Sequence, residues 1–352
     1  MVEWLERSVV GDPSRLHAEA LEARVAVETA REEVAALLGA RRREVVFCSG
    51  ATEAIAMACH GAALRRRGPS VLSDIEHSAV RESAARGNTI ELPVDAAGRV
   101  DVSHLAEVAV GASVVHLQWG NHEVATLQPV AAAAAWCREH DVLLHVDAAQ
   151  AVGHVPIDFA AAGVDLMSIS AHKFGAPLGI GALLVRRGLR IDPLLVGGDQ
   201  ERARRAGVEN VPAIVGFGAA AAAVTASLSA EHVSALRLTR RVIEWAATRD
   251  DVAVLGDSSD EGRLPHLVCL ALDGVEPQPV LLGLDAAGIA VHSGSSCSSE
   301  ALEPSPVLAA MGVDAERSLR VSVGWNSTDA DIDALLAALP RVLDDLHALR
   351  TR

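Results

Sequence analysis

The chain has no tyrosine, one lysine and few aromatic residues of any kind, 3% in all. Proteins that read nucleic acid stack bases on aromatic rings and neutralise phosphates with basic stripes. A net charge of -15 with no basic run interleaved with aromatics excludes that class, so no direct nucleic-acid partner is expected. Cysteine is scarce too. Cys48, Cys59, Cys137, Cys269 and Cys297 are odd in number and none stands at metal-ligand spacing, which excludes a disulfide framework or a zinc ribbon and suits a reducing compartment. The start, MVEWLERSVV, is acidic and lacks an apolar core, unlike a secretory or transit signal; a cytoplasmic protein is expected. Residues 211–230 carry no charge and are long enough for a membrane span. Their proline, glycines and many alanines read instead as a buried, tightly packed helix, and no membrane partner is expected.

What remains is a globular chain of 352 residues, half of them hydrophobic, long enough for two domains. Short β-rich runs at 45–48, 70–73, 113–118, 142–146, 166–170 and 181–185 alternate with helical stretches at 16–38, 53–66, 78–86, 130–140 and 157–162. Such alternation predicts an α/β fold, a mostly parallel central sheet with helices on both faces and ligand groups at the carboxyl ends of strands. Beyond residue 230 a helix at 231–249, a strand at 267–272, a helix at 279–287, a strand at 320–323 and a helix at 329–349 predict a smaller C-terminal α+β unit. The expected division is a large domain over 11–230 and a small one over 231–352 joined by residues 1–10.

Lys173 is the single lysine, against thirty arginines. Compositional bias accounts for the arginines, and chance for one survivor; the alternative is an amine that guanidinium cannot imitate, because arginine stays protonated and is a poor nucleophile. Three motifs give that amine a setting. In VVFCSGATEA an apolar strand passes through Ser49 and Gly50 into a helix start, where free amides of Ala51 and Thr52 and the Thr52 hydroxyl make a phosphate seat, or a plain cap. LHVDAAQAVG puts Asp147 and Gln150 just past a strand, where a carboxylate caps a helix or pairs with a pyridinium nitrogen. SISAHKFGAPLGIGALLV brings Ser170, His172 and Lys173 to a third strand end, a set able to hold a phosphate and form a Schiff base.

These pieces occur in a fixed order: SGATEA, IEHSAV, GNHEVATLQPV, HVDAAQAVG, SAHKFGAPLGIGAL, GGDQERARRAGVENVPAIVG, SGSSCSSEALEPSPVL and LRVSVGWNST. Over residues 11–340 the chain resembles the cysteine desulfurases of the class V aminotransferase family, in the iron-sulfur-assembly group. The resemblance implies the pyridoxal 5'-phosphate (PLP) transferase fold of type I and a homodimer whose active sites lie at the interface. It implies L-cysteine as substrate and a sulfur-acceptor protein of unspecified identity.

Residue by residue, Lys173 resembles the Schiff-base lysine, Asp147 the partner of the pyridinium nitrogen and Gln150 a donor to the cofactor phenolate. His77 resembles the imidazole stacked on the ring. Gly50, Ala51, Thr52, Ser170 and His172 match the phosphate site, Asn121 and Arg320 the substrate site, with Arg320 gripping the carboxylate. Cys297 resembles the catalytic cysteine that carries the persulfide. Its surroundings agree: the other four cysteines sit inside apolar runs, whereas Cys297 lies in a polar Gly/Ser-rich stretch suited to a reactive thiolate.

The departures are specific. The family opens with an Ala-Ala-Thr-Thr segment, and this chain begins near the Gly-Asn-Pro-Ser that follows it, here GDPS with Asp12. His122 stands where a second Asn contacts the cofactor phenolate, and Val208 where a Thr reaches the partner's phosphate. They favour one alternative, a non-catalytic scaffold for sulfur transfer; a C-S or selenocysteine lyase, which would share every cofactor residue and need Cys297 less, and an aminotransferase also stay open.

Overall fold

The computed structural model describes residues 1–7, 11–293, 304–314 and 316–350. Two compact units result: residues 1–92, 102–119 and 129–228, and residues 93–101, 120–128 and 229–352. The last stretch of the second unit begins at Ser229, against an expected division at 230/231, and the chain start groups with the larger unit rather than the smaller one. Two short excursions, 93–101 and 120–128, belong with the second unit, and neither shows as a change of composition.

The larger unit is built on a seven-stranded sheet in the order β1-β7-β6-β5-β4-β2-β3. Its strands are β1 (Val45–Cys48), β2 (Ser70–Ser73), β3 (Thr89–Leu92), β4 (Val114–Gln118), β5 (Leu143–Asp147), β6 (Leu166–Ser170) and β7 (Gly181–Val185). All pairs are parallel except those of β7, which runs against both β6 and β1. β1, β2, β4, β6 and β7 are buried on both faces, which is why they read as continuous apolar runs instead of alternating ones. β3 escapes the sequence reading because Thr89 and Glu91 are exposed, so its four residues show no such run.

Helix Ala18–Leu37 buries Ala20, Ala23, Val27, Ala30 and Val34, spaced at helical period on one face. Residues 211–230 do not form a separate, fully buried helix: Val211–Ala246 is one helix of 36 residues. Val211, Ile214, Phe217 and Ala221 are buried while Ala219 and Ala223 are exposed, so it packs by one face. Gly218 allows that packing, since a Cβ there would come within 2.5 Å of Ala30 Cα. This is the one helix among the described residues long and apolar enough to cross a membrane by length and composition.

The second unit has an antiparallel sheet ordered β10-β11-β9-β8, from β8 (Val252–Leu255), β9 (Leu267–Leu272), β10 (His292–Ser293) and β11 (Ser318–Ser322). Leu270, Leu319 and Val321 pack with Val280, Leu284, Leu335 and Leu339 of helices Pro277–Ala286 and Asp329–Arg350.

The larger unit also buries a polar chain. His116 Nδ1 lies 2.8 Å from His145 Nδ1, His145 Nε2 lies 2.7 Å from Ser168 Oγ, and both rings are fully buried. Burial lowers the His116 pKa to about 4 and that of His145 well below its ordinary value, so both stay neutral in the fold. The unfolded chain takes up protons near pH 6.5, and stability should fall as pH drops from there toward 4. For His116 alone the loss is about 3 kcal/mol across that window. Urea unfolding at pH 7 and pH 4.5 measures it, and the doubly substituted His116→Asn, His145→Asn protein should show a flatter pH dependence.

Candidate active site

β1, β2, β4, β5 and β6 run in one direction, so their carboxyl ends share one edge of the sheet, and the motif residues follow those ends. At the end of β1, Gly50 precedes helix Ala51–Arg65, whose first amides have no partners within the helix. Gly181 makes room for this turn: a Cβ on it would lie 2.7 Å from Gly50 Cα and 2.6 Å from the Ile169 carbonyl oxygen. A Cβ on Gly50 would in turn be 3.9 Å from Ser170 Oγ. The Ser-Gly turn, the helix start bearing exposed Thr52 and the end of β6 are thereby brought together.

β6 leads into the 3-10 turn Ala171–Phe174, which ends on Gly175 at φ +86°. Ser170 Oγ is 3.0 Å from His172 Nδ1. Burial first, then the Lys173 cation, lowers the His172 pKa, so the ring is neutral at physiological pH. The turn presents Lys173 at the surface of the unit and fixes its backbone, His154 Nε2 donating to the Lys173 carbonyl at 3.1 Å. Asp147 ends β5 in register with Ser168 of β6; it is buried, and its Oδ1 accepts the Ala149 amide at 3.0 Å. Gln150 follows in the turn after β5, half-buried.

His77 caps helix Ser78–Ala84, its Nδ1 accepting the Ala79 amide at 3.0 Å. In the neutral ring the proton therefore resides on Nε2. The groups gathered in this unit are helix-terminal amides with hydroxyls, a buried carboxylate one strand away and a primary amine. They suit a phosphorylated cofactor with a basic ring nitrogen and a carbonyl.

In the second unit Asn121 Oδ1 accepts the amides of Glu123 and Val124, each at 2.8 Å, and so holds the turn that lets Ala125 adopt φ +67°. The Arg320 guanidinium donates from Nη1 to the His122 carbonyl at 3.0 Å, and His122 Nε2 lies 3.5 Å from a Glu123 oxygen. Arg320, His122 and Asn121 are thus assembled in one neighbourhood of the second unit. Val208 is 65% exposed in the larger unit. Cys297 lies outside the described residues.

Burial raises the pKa values of Cys48, Cys59, Cys137 and Cys269 to about 12. At pH 8 their thiolate fractions are on the order of 10⁻⁴. Brief alkylation of the native protein with iodoacetamide should leave all four unmodified and label the Cys297 peptide, as peptide mass spectrometry would show.

Sequence reading missed two ion pairs around the Ser-Gly turn. Arg205 Nε lies 2.8 Å from Glu53 Oε1, and Glu53 Oε2 accepts the Ser49 amide at 2.7 Å. Burial raises the Glu53 pKa, but Arg205 and the Ser49 amide outweigh it and hold the carboxyl low. The second pair joins Arg31 to Glu201, both buried. Its only signal is an arginine on the apolar face of helix Ala18–Leu37, between Val27 and Val34.

Known proteins resemble this chain along nearly its whole length. The aminotransferase class-V family model matches residues 2–335. The cysteine desulfurase IscS of Methanosarcina thermophila is 38% identical, over 96% of this chain and 86% of that protein. The cysteine desulfurase of Cereibacter sphaeroides is 40% identical, over 96% and 90%. The crystal structure of a NifS-like protein from Rickettsia africae superposes with a TM-score of 0.88 at 28% identity, covering 97% of this chain and 94% of that one. With its sheet order, its strand-end motifs and relatives matched along nearly its whole length, the chain belongs to the cysteine desulfurases of the class-V aminotransferase family.

Proposed function

We propose that the chain uses pyridoxal 5'-phosphate to convert L-cysteine to L-alanine, leaving the sulfur as a persulfide on Cys297 for an acceptor protein. The observation that carries this reading is the sole lysine, exposed in the turn that directly follows β6 with Ser170 and His172, one strand from buried Asp147. When bound, the cofactor supplies an electron sink for charge developing at the substrate α-carbon.

The amides of Ala51 and Thr52, the Thr52 hydroxyl, Ser170 and His172 would hold its phosphate, and the Asp147 carboxylate would keep its ring nitrogen protonated. Gln150 and His122 would donate to its phenolate oxygen, and His77 would lie against its ring. The Lys173 amine would hold the cofactor's carbonyl carbon and, as a base, would move the proton at the substrate α-carbon. Arg320 grips the substrate carboxylate with its planar fork, beside Asn121. Cys297 thiolate attacks the substrate sulfur: an S-S bond forms, the C-S bond breaks with its electron pair going to carbon, and protonation of that carbon gives alanine. His77, with its mobile proton on Nε2, serves the thiol as acid or base.

In this reading the enzyme is a homodimer in which residues 205–208 complete the partner's site, and iron-sulfur cluster assembly is the pathway the resemblance implies for the acceptor. L-Cysteine with a thiol reductant should give alanine and sulfide in equal amounts. Alanine that appears only when a 2-oxo acid is added would mark an aminotransferase instead.

A further inference from the structure

Residues 201–203 are unusual backbone. Glu201, Arg202 and Ala203 have φ values of 48°, 60° and 59°, three consecutive residues in the left-handed region with no glycine among them. Side chains with a Cβ avoid that region, so such a run persists only where the surroundings impose it. The surroundings here are an ion pair. Arg31 binds Glu201 through both terminal guanidinium nitrogens, Nη1 to Oε2 at 2.6 Å and Nη2 to Oε1 at 2.8 Å. Both side chains are nearly inaccessible, at 3% and 2% exposure.

Each partner is tied further into the fold. Glu201 Oε2 accepts the Phe47 amide at 3.0 Å, Arg31 Nη1 donates to the Val45 carbonyl at 3.0 Å, and Arg31 Nε donates to Glu28 at 3.0 Å. Glu201 is thereby fixed to β1 and to helix Ala18–Leu37 together. Four residues on, Arg205 reaches Glu53 in the first turn of helix Ala51–Arg65, and Glu53 holds the Ser49 amide. The strained turn thus lies between two Arg-Glu pairs, one gripping β1 and the other the Ser-Gly turn at its end. Arg205 also neutralises an acidic side chain that stands beside the intended phosphate seat, where an uncompensated carboxylate would repel the anion.

We infer that the buried Arg31–Glu201 pair is a clamp that imposes the left-handed turn and so positions Arg205 on Glu53, setting the geometry and charge of the phosphate seat. Arg31 and Glu201 are positioning residues: they act through Arg205 and the Ser49–Gly50 turn. The inference rests on the proposed use of pyridoxal 5'-phosphate and specifies which of its groups the clamp serves.

The test compares binding of pyridoxal 5'-phosphate and of pyridoxal, which lacks the phosphate, to the apoprotein by absorbance titration. The native protein should strongly prefer the phosphorylated form. In Glu201→Gln the preference should fall about tenfold, the size of one charge-assisted hydrogen bond, with pyridoxal affinity little changed. Adding Ala203→Gly to that variant should restore part of the preference, because glycine takes the left-handed conformation without cost. If Glu201→Gln does not fold, Arg31→Lys, which keeps the charge and loses the fork, takes its place with the same expected pattern. An unchanged preference, an equal loss for both ligands, or no restoration by the glycine would overturn the clamp. A native protein that binds neither ligand would overturn the cofactor reading beneath it.

Discussion

Replacing Cys297 with serine should leave pyridoxal 5'-phosphate binding unchanged and lower alanine release from L-cysteine by more than about 100-fold, because a serine hydroxyl is a poor nucleophile beside a thiolate. No other thiol can take over. Cys48, Cys59, Cys137 and Cys269 are buried and their pKa values are pushed up to about 12, so the larger unit's three and the second unit's one remain protonated at working pH. The variant therefore separates sulfur transfer from cofactor chemistry: the cofactor's absorbance should still respond to L-cysteine while no persulfide forms. Alanine release at the native rate would mean that the C-S bond breaks without a cysteine nucleophile, the chemistry of a lyase.

Lys173→Arg should have the second large effect. Guanidinium is a cation of similar reach, so the fold should survive, as its thermal unfolding would report. But arginine neither condenses with a carbonyl nor moves a proton at neutral pH, and turnover should fall by at least about 10³-fold. Borohydride reduction of the loaded native protein should attach the cofactor to one peptide, the one containing Lys173, since the chain's only other primary amine is its N-terminus. Reduction of the Lys173→Arg protein should attach nothing to that peptide. A native protein that retains the cofactor but is labelled only at the N-terminus would remove Lys173 from its assigned role.

The strands of the larger sheet were legible because burial on both faces leaves an unbroken apolar run, and four of them, Val45–Cys48, Ser70–Ser73, Leu166–Ser170 and Gly181–Val185, coincide with the expected limits. Lys173 and its neighbours were legible because a polar cluster directly after such a run has few structural uses. Long-range pairing was not. Arg31 and Glu201 are 170 positions apart, and nothing local distinguishes Glu201 from the other charges in QERARR. The left-handed turn was equally hidden, because it forms at residues with no preference for that conformation and is imposed by the ion pair. The excursions 93–101 and 120–128 escaped for a similar reason: they are short connections whose grouping is decided by tertiary packing. The join of 211–230 to the following helix was obscured by the change from Ala-rich to charged sequence near Glu231, a change that the helix crosses without a break.

The central claim is that this chain moves the sulfur of L-cysteine onto its own Cys297. A single turnover without reductant tests it most directly, with intact-protein and peptide mass spectrometry on the loaded enzyme after mixing with L-cysteine. The account predicts one added sulfur atom per chain, located on the peptide bearing Cys297 and removable by reductant, with one alanine released for each sulfur bound. Alanine without added sulfur, or sulfur on a peptide bearing Cys48, Cys59, Cys137 or Cys269, would contradict it.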